Sequence, residues 1–257
     1  WLGVQPPDQG LPPCSRYRCK LHGGVQKARL MKIAQWELTV PLKGILFDLD
    51  GTLVDTAPDL CGTIQDMQSD RGVDITPYRA MEHLASGGAR ALLKAGFGLE
   101  MHYPEFPAMR AEFLERYEAR IARESAVYSG IIPLLNEIKA RGAQWGIVTN
   151  KPYYLAEKLV HELGLTHGCS VLIGGDTAEK PKPSPLPCFM AAGEMRLPTE
   201  QCVMIGDDER DVIAGREAGM ATVAVEYGYI ASPIDQWGAD AIVKTAHDLA
   251  KWLEIRM

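Results

Sequence analysis

The chain has 257 residues, 46% hydrophobic and 23% charged, with a mean hydropathy of -0.11. That balance excludes collagen-like repeats, a coiled coil and wholesale disorder, and the length suits one large α/β domain or a core carrying an insertion. A formal charge of -6, from 27 basic and 33 acidic side chains, disfavours a general nucleic-acid binder, which needs clustered Lys and Arg.

In chain order, residues 1–32 set Arg16, Arg18, Lys20, Lys27, Arg29 and Lys32 against Asp8 alone, a local +5 that leaves -11 on the remainder. Interspersed prolines and glycines and the lack of periodicity make residues 1–42 an expected disordered basic extension. With Trp1 at the start and Met31 just ahead of the first convincing element, residues 1–30 read as translated upstream sequence or a non-native remnant. It lacks the compact apolar run of a secretory signal, and no run approaches the ~20 residues of a membrane span. Six scattered cysteines without a CxxC pair read as unpaired thiols, so the expected compartment is the cytoplasm.

From Lys43 short apolar runs alternate with helical patterns, the signature of parallel strands joined by crossover helices. Strands are expected at 44–49, 144–149, 171–174, 202–205, 221–225 and 241–243, and helices at 131–141, 153–163, 187–195, 209–218 and 247–255. The alternation fails between Asp55 and Val127, where 59–71, 78–84, 89–95 and 108–124 read as helices. Met109, Phe113, Tyr117 and Ile121 recur at spacing four and read as an ordinary packing stripe. The expected organisation is therefore a core of 43–57 and 128–257 with a helical insertion at 58–127.

The strongest local signal is Asp48-Leu49-Asp50-Gly51-Thr52-Leu53-Val54-Asp55-Thr56, at the end of the first apolar strand. Residues two apart in a strand face one side, so Asp48 and Asp50 meet at the carboxyl edge of a parallel sheet, where open α/β sheets bind ligands. Two carboxylates about 4 Å apart repel by roughly 4 kcal/mol at an effective dielectric near 20, which calls for a cation, a shared proton or both. Later strand ends carry Val148-Thr149-Asn150, the loop Lys180-Pro181-Lys182-Pro183-Ser184-Pro185, and Gly206-Asp207-Asp208-Glu209-Arg210-Asp211. Asp208 and Asp211 also suit a helix N-cap with a first-turn acid.

Taken in order, these four stretches resemble the signatures of the haloacid dehalogenase superfamily of aspartate-nucleophile phosphatases. The resemblance covers Lys43 to Met257 and implies a Rossmann-like parallel α/β core with a helical C1-type cap inserted after the first core strand. It is closest in the phosphoglycolate phosphatase and N-acetylmuramic acid 6-phosphate phosphatase branch, through Ser86-Gly87-Gly88-Ala89-Arg90, Val148 to Pro152, Ile173 to Asp176 and Glu226 to Ile230. It implies Asp48 as nucleophile, Asp50 as acid and base, and Thr149 and Lys180 as phosphoryl ligands, with Asn150 in the binding set. Mg²⁺ is implied on Asp48, the Asp50 backbone carbonyl and Asp207. Lys182 rivals Lys180, because Lys-Pro-x-Pro reads from either; Lys180 is preferred, since only from there does the longer pattern run through Leu186. Gly88 permits close approach of a loop, and Arg90 is a candidate for gripping a substrate carboxylate. The implied partner is a small phosphorylated metabolite carrying a carboxylate, 2-phosphoglycolate or N-acetylmuramic acid 6-phosphate, with neither nucleic acid nor membrane engaged by the core. A β-phosphoglucomutase-like mutase and an inactive binding module of the same fold are the alternatives.

Overall fold

The computed structural model describes residues 41–257; most of the expected basic extension, and the cysteines Cys14 and Cys19, lie outside them. Six parallel strands form one sheet: β1 (Gly44–Phe47), β4 (Gln144–Val148), β5 (Cys169–Ile173), β6 (Cys202–Gly206), β7 (Ala221–Val225) and β8 (Ala241–Val243). Their order is β5-β4-β1-β6-β7-β8. The crossovers are α4 (Ile131–Ala140), α5 (Tyr153–Glu162), α6 (Leu186–Glu194) and α7 (Glu209–Glu217), and α8 (Ala246–Glu254) follows the last strand. The expected Rossmann-like α/β core is present, with strand and helix limits shifted by at most two residues.

Both faces of this sheet are covered, which is why its strands read as continuous apolar runs. Ile45 and Phe47 point into one buried cluster with Leu134, Ile138, Leu159 and Leu249, while Leu46 between them points into a second with Cys188, Ala191 and Ala214. Each such side chain contributes roughly 1.5–3 kcal/mol by leaving water. The four described cysteines, Cys61, Cys169, Cys188 and Cys202, are free, and no helix of the described residues is long and apolar enough to cross a membrane.

Between β1 and α4 the chain makes a helical excursion: α1 (Ala57–Asp70), two short 3-10 turns, α2 (Gly88–Phe97) and α3 (Phe106–Arg120). These close a further cluster, with Ile64, Met67, Leu92, Phe113 and Tyr117 buried in it and Leu155 and Tyr229 of the core joining it. Its two connections to the core pair as two-residue antiparallel strands, β2 (Val54–Asp55) and β3 (Ala126–Val127), which are too short to leave a periodic signal. The helix expected at 108–124 stops at Arg120 because Asp59, fully buried on α1, captures the turn beyond it. Asp59 accepts from the backbone N–H of Ser125 at 2.8 Å and of Glu124 at 3.1 Å, and from Ser125 Oγ at 2.6 Å. That carboxylate, 3.4 Å from Arg120 Nε, ties the first helix of the excursion to its exit.

Candidate active site

Strand β1 lies between β4 and β6, with chain leaving in opposite directions on its two sides, so the crevice beyond these carboxyl ends is the expected ligand site. A cavity of about 310 Å³ opens there, lined from the core by Asp48, Asp50, Thr149, Lys151, Lys182 and Arg210 and from the helices by Ser86, Arg90, Arg110, Phe113 and Tyr117.

Asp48 continues the ladder of β1, its N–H donating to the Ile205 carbonyl at 2.8 Å. Its Oδ1 accepts from the Leu49 N–H at 2.7 Å and lies 2.9 Å from Lys182 Nζ, and Oδ2 accepts no hydrogen bond among the described residues. Asp50 turns its carboxylate elsewhere: Oδ1 accepts from Thr56 Oγ1 at 2.7 Å and from Lys151 Nζ at 2.8 Å. Burial works against the charge of Lys151, but Asp50 outweighs it and holds the ammonium above the ordinary lysine value. Lys151 also lies 4.5 Å from the centre of the Tyr117 ring.

Beyond β6, Asp207 is wholly buried, its Oδ1 taking Thr52 Oγ1 at 2.9 Å and its Oδ2 the Tyr229 N–H at 2.8 Å and Ser86 Oγ at 3.1 Å. Burial first and the charge of Asp48 second push its carboxyl up to about 7. Gly51 makes room for it. Its φ of +84° suits glycine, and a Cβ there would stand 2.1 Å from Asp207 Oδ2.

Lys182, not Lys180, is the lysine of this site. Its Nζ lies 2.9 Å from Asp48 Oδ1 and 2.6 Å from Asp211 Oδ1 and donates to the Val148 carbonyl at 2.6 Å, with the residue 3% exposed. Lys180 is exposed and does not line the cavity. The cause is a clamp: Asn150 Nδ2 donates to the Lys182 carbonyl at 2.8 Å, and the Lys182 N–H donates to Asn150 Oδ1 at 2.9 Å. That pair anchors Lys182 beneath the end of β4 and leaves Lys180 outside the anchor. Burial opposes the charge on Lys182, but Asp211 and Asp48 together keep it above the ordinary lysine value.

Thr149 is buried at the end of β4, its N–H donating to the Ile173 carbonyl at 2.9 Å and its Oγ1 accepting from the Lys151 N–H at 3.2 Å. Asp208 and Asp211 form the expected cap of α7, Asp208 accepting from the Arg210 N–H at 2.9 Å and Asp211 Oδ2 from the Asp208 N–H at 3.1 Å. Arg210 grips both oxygens of Asp208 and reaches across to the Ser86 carbonyl at 2.8 Å, joining core and helices. Arg90 and Gly88 line the cavity from the helical side, Arg90 exposed.

Carboxylate oxygens of Asp48, Asp207 and Asp211 lie within 4.8 Å of one another, all buried. Lys182 balances one of the three charges at most, and hard oxygens held this closely fit a divalent cation of the Mg²⁺ type. The Asp50 carboxylate stands outside this trio, engaged by Lys151 and Thr56. Lys151 and Ser86 are not singled out as functional in the sequence, whereas Asp211 reads there equally as a first-turn acid and as a functional one; the basic residue directly after Thr149-Asn150 is the one available pointer to Lys151.

The family model described as haloacid dehalogenase-like hydrolase matches residues 45–225. The chain is 42% identical over 204 residues to a phosphoglycolate phosphatase of Xanthomonas campestris, covering 79% of this chain and 92% of that protein. It is equally 42% identical, over 216 residues, to an N-acetylmuramic acid 6-phosphate phosphatase of Pseudomonas aeruginosa, covering 83% and 95%. Among solved structures, a predicted phosphoglycolate phosphatase from Haemophilus somnus superposes with a TM-score of 0.74 at 29% identity, covering 82% of this chain and 97% of the other.

Proposed function

The chain belongs to the haloacid dehalogenase-like hydrolases, as a phosphatase of that family, and on that premise we propose that it is a Mg²⁺-dependent phosphomonoester hydrolase working through an aspartyl phosphate on Asp48. Its substrate is a small phosphorylated metabolite bearing a carboxylate, of the kind named for its relatives: 2-phosphoglycolate or N-acetylmuramic acid 6-phosphate. The observation that carries the reading is the division of labour in Asp48: one oxygen is pinned by Leu49 and Lys182, and the other has no partner at the cavity.

Asp48 Oδ2 attacks phosphorus in line with the leaving alcohol, dividing the hydrolysis into two displacements. Thr56 and Lys151 both occupy Asp50 Oδ1, so the transferable proton belongs on Oδ2. From there it passes to the leaving oxygen and is later recovered from the attacking water. Lys182 and Thr149 hold phosphoryl oxygens, with Asn150 acting through its grip on the Lys182 backbone. Asp48, Asp207 and Asp211 would hold the cation, which when bound offsets their charge and that of the phosphoryl group. The excursion at 58–127 acts as the cap, with Ser86 and Arg210 binding it to the core and excluding water.

Phosphate release from both candidate substrates, with Mg²⁺ and with chelator, tests the reading, with Asp48→Asn as the companion variant. Release should depend on Mg²⁺, and the variant should lose at least ~10³-fold in kcat with its fold intact. A variant retaining most of its activity, or an isomerised sugar phosphate in place of free phosphate, would overturn the assignment.

A further inference from the structure

Arg110, Phe113, Leu114 and Tyr117 recur at the i, i+3, i+4, i+7 spacing of one α-helical face, and all four line the cavity. Read as packing, that stripe accounts for Phe113 and leaves Arg110 and the Tyr117 hydroxyl unexplained. Tyr117 is 1% exposed, and its Oη, beside the Lys151 ammonium, meets no acceptor among the described residues. Leaving a buried hydroxyl unmatched costs about 1–3 kcal/mol. Arg110 and Arg90 form no ion pair among the described residues, although both line the cavity, and Arg210 on its opposite side meets Asp208. The cavity is thus rimmed by two unengaged guanidinium groups, with a hydroxyl in want of an acceptor between them and the floor.

We infer that this face of α3 is a recognition subsite for a carboxylate carried on a ring-sized leaving group, with Arg110 at its outer end. The inference rests on the reading of Asp48 as the nucleophile and decides between the two substrates that reading allows. Tyr117 covers Lys151 and so marks the reacting end. Arg110 lies seven residues earlier on the helix, about 10 Å along its axis at 1.5 Å per residue. Helical side chains lean toward the N-terminus, which carries its guanidinium further from the floor. A two-carbon phosphoester acid is too short for that span, and a sugar ring with an acidic side arm fits it. Phe113 and Leu114 offer apolar surface to the ring face between the two ends. The cavity volume, about 310 Å³, is at the small end of the roughly 300–1,000 Å³ usual for ligand pockets, suiting one monosaccharide and no polymer.

The test compares kcat/KM for N-acetylmuramic acid 6-phosphate, N-acetylglucosamine 6-phosphate, which has the ring without the acid, 2-phosphoglycolate and p-nitrophenyl phosphate. The wild-type chain should prefer the acid-bearing ring over the acid-free ring by about tenfold or more, the worth of one charge-assisted contact. Arg110→Ala should lower that ratio by about tenfold, Arg110→Lys should restore part of it, and the ratio of 2-phosphoglycolate to p-nitrophenyl phosphate should stay where it was. Arg110 is exposed, so its variants keep the fold. An unmoved ratio, an equal loss on every substrate, or a wild-type preference for 2-phosphoglycolate overturns the subsite and leaves the phosphatase reading standing. Failure of the wild type to hydrolyse any of the four overturns both.

Discussion

On the core side of the cavity the charged groups are held by partners within the fold, although the Asp48, Asp207 and Asp211 trio keeps more negative charge than Lys182 balances. Lys182 touches Asp48, Asp211 and the Val148 carbonyl, Lys151 holds Asp50, and Asp207 takes three donors. On the helical side Arg90 and Arg110 stand exposed and pair with no carboxylate among the described residues, over the apolar Phe113 and Leu114. The difference separates two tasks. A buried charged site must be compensated before substrate arrives, by protein groups or by a bound cation, because an uncompensated charge there costs several kcal/mol. A recognition surface must leave its donors unengaged, so that the ligand completes them. On the proposed reading, rigidity belongs to the floor and selectivity to the roof.

The two lysines of the Lys-Pro-x-Pro loop offer the sharpest way to break this comparison. Replacing Lys182 by Met removes the ammonium between two buried carboxylates, so a loss of about 3–5 kcal/mol of stability and about 10²–10³-fold in kcat/KM is expected. Lys180→Met, at an exposed position, should change stability by no more than about 0.5 kcal/mol and turnover by no more than about twofold. Urea unfolding and steady-state kinetics on both variants decide it, and equal effects would show that the floor is less tightly interlocked than its distances indicate.

The same pair shows what could be read from sequence alone. Asp48, Asp50, Thr149 and Asp207 were legible because each ends an apolar run, and in a parallel sheet the ends of such runs converge. Lys182 was not, because what selects it over Lys180 is a clamp from Asn150, 32 residues away. Local sequence cannot show a contact of that range. Asp211 reads equally as a helix cap and as a functional acid, because local sequence cannot separate the two and one carboxylate does both. Phe113 and Tyr117 read as packing and are buried in the helical cluster, yet they also line the cavity, because a helical face that lines a cavity and one that fills a core have the same period. The last helix of the excursion, expected to run to 124, stops at Arg120 because Asp59, not propensity, ends α3.

Asp59 tests the joint between the two regions. Its oxygens take the Glu124 and Ser125 N–H groups and the Ser125 hydroxyl, all at the exit of the excursion. Asp59→Asn replaces one of those acceptor oxygens by a donor and removes the charge facing Arg120, so a loss of about 2–3 kcal/mol is expected. The loss should fall on the helices first. Hydrogen exchange should show faster opening over 57–125 than across the sheet strands, and uniform acceleration in both regions would mean that they unfold as one unit.

The smallest effect separates the floor from the roof by its response to a cation. The Asp207 carboxyl, ordinarily near 3.8, is raised to about 7 in the folded chain. The folded state therefore binds the proton more tightly than the unfolded one. The stability this contributes is fully present below the unfolded value and is lost as pH rises through about 7. Metal-free protein should accordingly melt at a lower temperature at pH 7.5 than at pH 5. Mg²⁺ acts on the ionised trio and should recover part of the difference, with a gain of about 1.4 kcal/mol at tenfold excess over its Kd, or a few degrees in Tm. The gain should be larger at pH 7.5 than at pH 5 and should disappear in Asp207→Asn, whose neutral amide cannot supply the missing charge. Arg110→Ala should leave it intact, because that arginine belongs to the roof. A Mg²⁺ shift that persists in Asp207→Asn would place the cation away from Asp48, Asp207 and Asp211, and the division between a compensated floor and an open roof would have to be redrawn around another set of acids.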